Sequence, residues 1–189
     1  MLIKNPVFEP LILTIPDDVI VFSIFSYENA YSQKFIMENY INFYSVNPPH
    51  LQEVVFRFEN FMDYESIHGL ERCFIPMGIV KKYYSDEAII LQLLKEGYIV
   101  NMPVDRSCIS FYGEEAVGTH RILIFGADLD KKIFICKDFK GHGFVEFKIG
   151  FSDLINSTNK FDNPNSREAN GILAFRIDRT VSGSIEYAK

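Results

Sequence analysis

Two residues in this chain have types and spacing suited to nucleophilic chemistry: His120 and Asp138, within THRILIFGADLDKKIFICKDF from Thr119 to Phe139. The stretch reads as two strands joined by a polar turn, Gly126-Ala127-Asp128-Leu129-Asp130, with Gly and Asp where turn geometry favours them. Strand side chains alternate with period two, so His120, Ile122 and Ile124 share one face, and Phe134, Cys136 and Asp138 share one face of the second strand. A hairpin centred near Leu129 sets His120 opposite Asp138, Ile122 opposite Cys136 and Ile124 opposite Phe134. Directly opposed residues have Cβ atoms about 4.5–5.5 Å apart, close enough for an imidazole to hydrogen-bond a carboxylate. Such a pair is the base and orienter of a nucleophilic catalytic site. It is equally a structural pair if no nucleophile meets it.

Other elements must position this hairpin. Leu11–Ile15 and Val19–Phe25 are short apolar runs around Pro16-Asp17-Asp18 and read as strands. Asn29 suits a helix N-cap, and AYSQKFIMENYINF from Ala30 to Phe43 has a broad apolar side at helical spacing. This helix is expected to be central and buried. Asn47-Pro48-Pro49 ends the unit. Val54–Phe61 alternates as a strand. Tyr64–Cys73 reads as a short helix broken near Gly69. Ser85–Lys95 reads as a helix capped by Ser85 or Asp86 and stopped at Gly97. Tyr98–Val104 is the next strand, and Asp105–Thr119 an irregular loop into His120. Gly141-His142-Gly143 turns into a strand over Phe144–Ile149, followed by a short helix over Phe151–Ile155. Ser157–Gly171 reads as a polar loop, Ile172–Ile177 as a last strand, and the tail to Lys189 as frayed.

The composition narrows the function classes. The chain has 189 residues, 48 % of them apolar and 15 % aromatic, enough for one domain with one core over residues 1–189. The net charge of −6 argues against nucleic acid as a partner. A few lysines still allow docking of an acidic carrier. No stretch approaches the roughly 20 apolar residues of a membrane span, and MLIKNPVFEP lacks a signal-peptide pattern. Cys73, Cys108 and Cys136 are an odd number without metal-type spacing. These features lead to the expectation of a cytoplasmic, reduced protein with no metal and no cofactor.

In a papain-like α+β architecture, a cysteine opens a buried helix, and a histidine and an Asp or Asn follow on adjacent strands of an antiparallel sheet. The helix N-terminus lowers the thiol pKa and offers amides to an oxyanion. This chain has the helix first and the His/Asp hairpin later, but Ala30 occupies the nucleophile position. Tyr27-Glu28-Asn29-Ala30-Tyr31, His120-Arg-Ile-Leu-Ile-Phe-Gly126, Phe134-Ile-Cys-Lys-Asp138-Phe139, Gly143-Phe-Val-Glu-Phe-Lys148 and Phe151-Ser-Asp-Leu154 together resemble the N-terminal domain of butirosin-type acyltransferases. The resemblance spans residues 20–156. It implies a papain-like fold with a central N-terminal helix packed on an antiparallel sheet. It also implies an enzyme that takes an acyl chain from a carrier-protein thioester and gives it to a small amine.

The departure is Ala30, where such proteins carry cysteine. Two explanations stand: a Cys→Ala replacement that inactivates the enzyme, or a natural alanine in a degenerate relative. Papain-like proteases also place a glutamine ahead of the nucleophile, and residues 23–26 here are Ser-Ile-Phe-Ser. Asn29, or backbone amides beside it, would have to serve the oxyanion. Ser32 lies about 200° around the helix from position 30, at roughly 100° per residue, and would face away. Cys136 shares the His/Asp face, with a buried small hydrophobe as the commoner role. Cys73, Cys108, His50, His68 and His142 have no partner pattern. The alternatives to acyl transfer are a cysteine peptidase or amide hydrolase on the same triad, a non-catalytic protein that binds a carrier or peptide, and a structural interaction domain. Aromatic-rich segments are compatible with a homodimer.

Overall fold

The computed structural model describes residues 1–9, 23–24, 70–113, 116–141, 143–160 and 171–177, with backbone only at 43–46 and 55–58. The fold is α+β. Seven strands form one antiparallel sheet: β1 (Leu2–Lys4), β4 (Leu70–Pro76), β5 (Ile99–Asp105), β6 (Thr119–Asp128), β7 (Ile133–Lys140), β8 (Gly143–Gly150) and β9 (Gly171–Ile177). Their order is β4-β9-β5-β6-β7-β8, with β1 also paired to β6. A separate hairpin joins β2 (Phe43–Val46) to β3 (Val55–Phe58). Three helices complete the described elements: α1 (Met77–Tyr83), α2 (Asp86–Lys95) and α3 (Phe151–Lys160). None of the described helices is long and apolar enough to cross a membrane.

Local chemistry sets the helix limits. The Ser85 hydroxyl caps α2 by accepting from the Ala88 amide, and Asp86 and Glu87 place negative charge at its positive end. At the other end the Tyr98 amide donates to Leu93 and the Gly97 amide to Leu94, while Gly97 takes φ 89°. These paired bonds close the last turn and need a left-handed residue, which glycine provides without a Cβ clash. The core lies between the three helices and one sheet face. Met77 and Val80 from α1, Ile90, Leu93 and Leu94 from α2, and Leu154 from α3 pack on Val100, Met102, Val104, Ile122, Ile124, Phe134 and Cys136.

Several sequence expectations are corrected. Residues 70–73 are not helical: β4 pairs with β9 from Leu70–Ile177 to Pro76–Gly171, and that ladder overrides the weak local pattern. Phe43 opens strand β2 rather than ending a helix. Helix α3 runs to Lys160, so Ser157 and Thr158 are buried rather than in a loop. The helix expected from Ala30, the strands expected over Leu11–Ile15 and most of Val19–Phe25, and the tail lie outside the described residues.

The central hairpin differs most. The turn is Leu129–Lys132, where the Asp128 carboxylate accepts from the Asp130 and Lys131 amides at 3.2 and 3.4 Å. Gly126 is not in the turn; it belongs to β6. Ile124 opposes Cys136, but Gly126 opposes Ile135, so Phe125 and Gly126 together face one residue in a β-bulge. The bulge keeps Ala127 on the core face with Ile124 and Phe134. The later turn displaces the pairing by three from the expected register and the bulge takes back one, for a net shift of two. Continued outward, the observed register sets Ile122 opposite Asp138 and His120 opposite Lys140. His120 and Asp138 are therefore diagonal neighbours.

Gly126 has a packing reason. A Cβ there would lie 2.7 Å from the Ile3 carbonyl oxygen on β1. Gly126→Ala is therefore expected to destabilise the protein by about 1–3 kcal/mol, as overpacking does. Gly78, on α1, has open space around it. Gly78→Ala should stabilise by up to about 0.5–1 kcal/mol through helix propensity. Urea unfolding of the two variants should give opposite shifts in midpoint; shifts of the same sign would refute this packing argument.

Candidate active site

The core face of the sheet grades from oil to polar groups along two neighbouring strands. On β6 the sequence of side chains is Ile124, Ile122, His120; on β7 it is Phe134, Cys136, Asp138. At this end of the sheet Nε2 of His120 lies 3.0 Å from Oδ1 of Asp138. The Asp138 side chain is 5 % exposed and that of His120 34 %. The acid is thus held inside while the ring reaches the surface. An ionised carboxylate only accepts hydrogen bonds, so a neutral imidazole in this contact places its proton on Nε2 and leaves a lone pair on Nδ1. Nδ1 has no hydrogen-bond partner among the described residues, and it is the atom able to take a proton from an incoming group.

Reading the sequence alone missed a third member. Tyr112 donates its hydroxyl to Oδ2 of Asp138. Its ring also meets the His120 ring edge-on, with centroids 6.2 Å apart. Asp138 therefore receives one donor on each oxygen. A hydrogen bond to a charged group contributes about 1.5–3 kcal/mol, and a buried charge left unpaired costs more. Burial, followed by the neighbouring Asp138 charge and the bond to it, pushes the Tyr112 phenol far above its usual pKa. The phenol therefore keeps its proton, and its role as donor, at neutral pH. The only sequence trace of this role is a Phe111-Tyr112 aromatic pair in a glycine-containing loop.

That loop is fixed at several points. It opens with two short 3-10 turns, Arg106–Cys108 and Ser110–Tyr112. The Ser157 hydroxyl on α3 accepts from the Asp105 amide at 2.8 Å and donates to the Asp105 carbonyl at 3.1 Å. The Asp105 carboxylate caps the first turn through the Ser107 amide, and its bonds to Ser107 lower its pKa. Its stabilising effect is therefore present above the unfolded carboxylate value of about 3.9 and fades as pH falls through the lower folded value. Phe111 stacks on Phe147 with centroids 4.0 Å apart, and the Lys140 ammonium donates to the Phe111 carbonyl at 3.0 Å. These contacts seat Tyr112 over the acid.

His120 and Asp138 are thus brought together, by a diagonal pairing rather than the directly opposed one. Ala30 and Asn29 lie outside the described residues, as do Ser32, His50, His68 and His142. Cys136 shares the face and is fully buried; burial and then the nearby Asp138 charge hold its thiol protonated, well above the usual range. Cys73 and Cys108 are free and half-buried, on β4 and the first 3-10 turn. Among the described residues no group of three or more His, Cys, Asp or Glu side chains is arranged to hold a metal ion. Compared with protein-family models, curated proteins and solved structures, the chain gives no significant match.

The contrast among the thiols can be read directly. Iodoacetamide followed by peptide mass mapping should label Cys73 and Cys108 in the native protein and leave Cys136 unmodified at pH 8. Labelling of Cys136 at a rate matching the other two would contradict its placement as an inert core residue.

Proposed function

We propose that this chain has the papain-like architecture and acts in acyl transfer, moving an acyl group from a carrier-protein thioester to a small amine to form an amide. The observation that carries the reading is the His120 Nε2–Asp138 Oδ1 contact of 3.0 Å, with the acid buried and the ring open on one side. The order of the chain supports it: a stretch with the apolar spacing expected of a helix opens at Ala30, and an antiparallel sheet follows whose adjacent strands carry the base and the acid. Position 30 is the nucleophile position in this reading, and Asn29 or the amides beside it are the oxyanion donors. The setting is cytoplasmic, with no cofactor.

With cysteine at position 30, Nδ1 of His120 takes the thiol proton, and the thiolate attacks the thioester carbonyl. The carrier's sulfur leaves and receives that proton from the imidazolium. One thioester replaces another, so the exchange needs little driving force. The amine then attacks the acyl-enzyme, giving its proton to His120, and the enzyme thiolate is expelled and reprotonated as the amide departs. Throughout, Asp138 holds the ring in the Nε2–H form and stabilises the imidazolium. Water must be kept from the acyl-enzyme, or hydrolysis replaces aminolysis.

Ala30 itself favours a second reading, because a methyl group cannot form the acyl-enzyme. On that reading the chain binds an acylated carrier or a peptide without turning it over. One experiment separates the two. The Ala30→Cys protein is incubated with an acylated carrier protein and followed by intact mass. The acyl-transfer reading expects a mass gain of one acyl group that discharges on adding an amine, with at least about a hundredfold loss in the Ala30→Cys, His120→Ala double variant, the scale of a lost general base. No adduct in either protein, with equal carrier affinity for Ala30 and Ala30→Cys, would overturn acyl transfer in favour of binding. Discharge to water alone would identify a hydrolase.

A further inference from the structure

We infer that Tyr112 is a positioning residue for His120, acting through Asp138: its hydroxyl fixes the carboxylate so that the other oxygen selects the Nε2–H tautomer of the imidazole. The catalytic consequence rests on the acyl-transfer reading; the effect on the ring does not.

The geometry separates this role from mere packing. A carboxylate on a strand can turn about its side-chain bonds, and both oxygens seek donors when water is excluded. Here the two oxygens are divided. Oδ2 takes the Tyr112 hydroxyl and Oδ1 faces Nε2 of His120. Without the hydroxyl, one oxygen of a nearly buried acid has no donor among the described residues, and the carboxylate is free to rotate. The direction of the ring then becomes less certain, because His120 and Asp138 are diagonal and not directly opposed on the sheet. The bond that orients the ring thus spans a longer gap than a direct cross-strand pair would, and depends more on how the acid is held.

Tyr112 is also braced independently of Asp138. Its neighbour Phe111 is stacked on Phe147, and the Lys140 ammonium lies 4.8 Å from the other ring's centre, at Phe111. Arg106 donates from its guanidinium to the Val117 carbonyl at 2.6 Å, and its amide donates to the Gly118 carbonyl at 3.1 Å, tying the loop's start to its end, just ahead of the strand that carries His120. A tyrosine needed only to fill space would not require its hydroxyl aimed at the acid. A tyrosine that positions the acid requires both the aim and the bracing, since a preorganised site depends on supporting groups that are themselves fixed.

The test uses the full chain labelled with 15N-histidine, with the His120 resonances among the four histidines assigned by His120→Gln. The two ring-nitrogen shifts report which nitrogen bears the proton. In the chain without further substitution His120 should be predominantly Nε2–H near neutral pH. In Tyr112→Phe, which keeps the ring and removes the hydroxyl, the shifts should move toward a mixture of the two tautomers. Asp138→Asn should move them at least as far, and adding Tyr112→Phe to Asp138→Asn should move them no further. Unchanged shifts in Tyr112→Phe would overturn the role, as would an effect of equal size in the Asp138→Asn background. If Tyr112→Phe does not fold, the chain without further substitution decides: a Tyr112 hydroxyl proton protected from exchange supports the role, and one exchanging freely overturns it. In the Ala30→Cys background, Tyr112→Phe should lower kcat for acylation about tenfold with KM unchanged. A tautomer shift in Tyr112→Phe without any acylation in that background would uphold the positioning role and refute acyl transfer.

Discussion

The arrangement rests on one constraint: the carboxylate of Asp138 is almost wholly removed from water at the end of a hydrophobic strand. Carrying an ion into a protein interior costs several kcal/mol even after relaxation unless its acceptors are satisfied. Each oxygen therefore needs a donor, and the donors come from different parts of the chain. His120 arrives on the neighbouring strand β6, and Tyr112 on the loop that precedes it. The acid thus ties a sheet and a loop into one geometry. Position along the strand does the rest, because Cys136 two residues inward is fully buried and Lys140 two residues outward is exposed.

The rest of the fold serves that placement. Helix α3 holds the end of β5 through Ser157, and so fixes where the Tyr112 loop begins. A short buried bond between Thr158 and Asp86 links α3 to the start of α2, which keeps the helical layer in register over the sheet. On the opposite sheet face, Lys137 is buried with its ammonium 2.9 Å from Glu9 and 5.4 Å from the centre of the Phe144 ring. Buried charges on adjacent residues of β7, Lys137 and Asp138, are thereby satisfied on opposite faces by unrelated partners. Alternation along a strand permits this: neighbouring residues can serve two environments without meeting.

Much of this was legible in the residues, and the gaps have physical causes. Period-two alternation correctly set His120 with Ile122 and Ile124, and Cys136 with Asp138, on the core face. The exact pairing was not legible, because the turn falls later, over Leu129–Lys132, and the bulge depends on a third strand. Gly126 looks like a turn residue, yet its missing Cβ admits the β1 backbone. The helix expected over Tyr64–Cys73 fails at its described residues, 70–73, for a related reason: the strand partner β9 lies about a hundred residues away, beyond the reach of local pattern. Tyr112 could not be found by motif, since its function comes from a hydrogen bond between a loop and a strand. By contrast, the Ser85 cap and the Gly97 stop of α2 are encoded within a few residues and were read correctly.

In the proposed function, the His120–Asp138 pair activates a thiol at position 30. Iodoacetamide alkylation of the Ala30→Cys protein, resolved by peptide mass mapping across pH 5 to 9, tests this most directly. An ordinary cysteine reacts through its thiolate with a pKa near about 8.5. Rapid alkylation at position 30 is expected already near pH 6, reverting to ordinary thiol behaviour when His120→Ala is added. Alkylation that rises only near pH 8.5 and is indifferent to His120→Ala would contradict it.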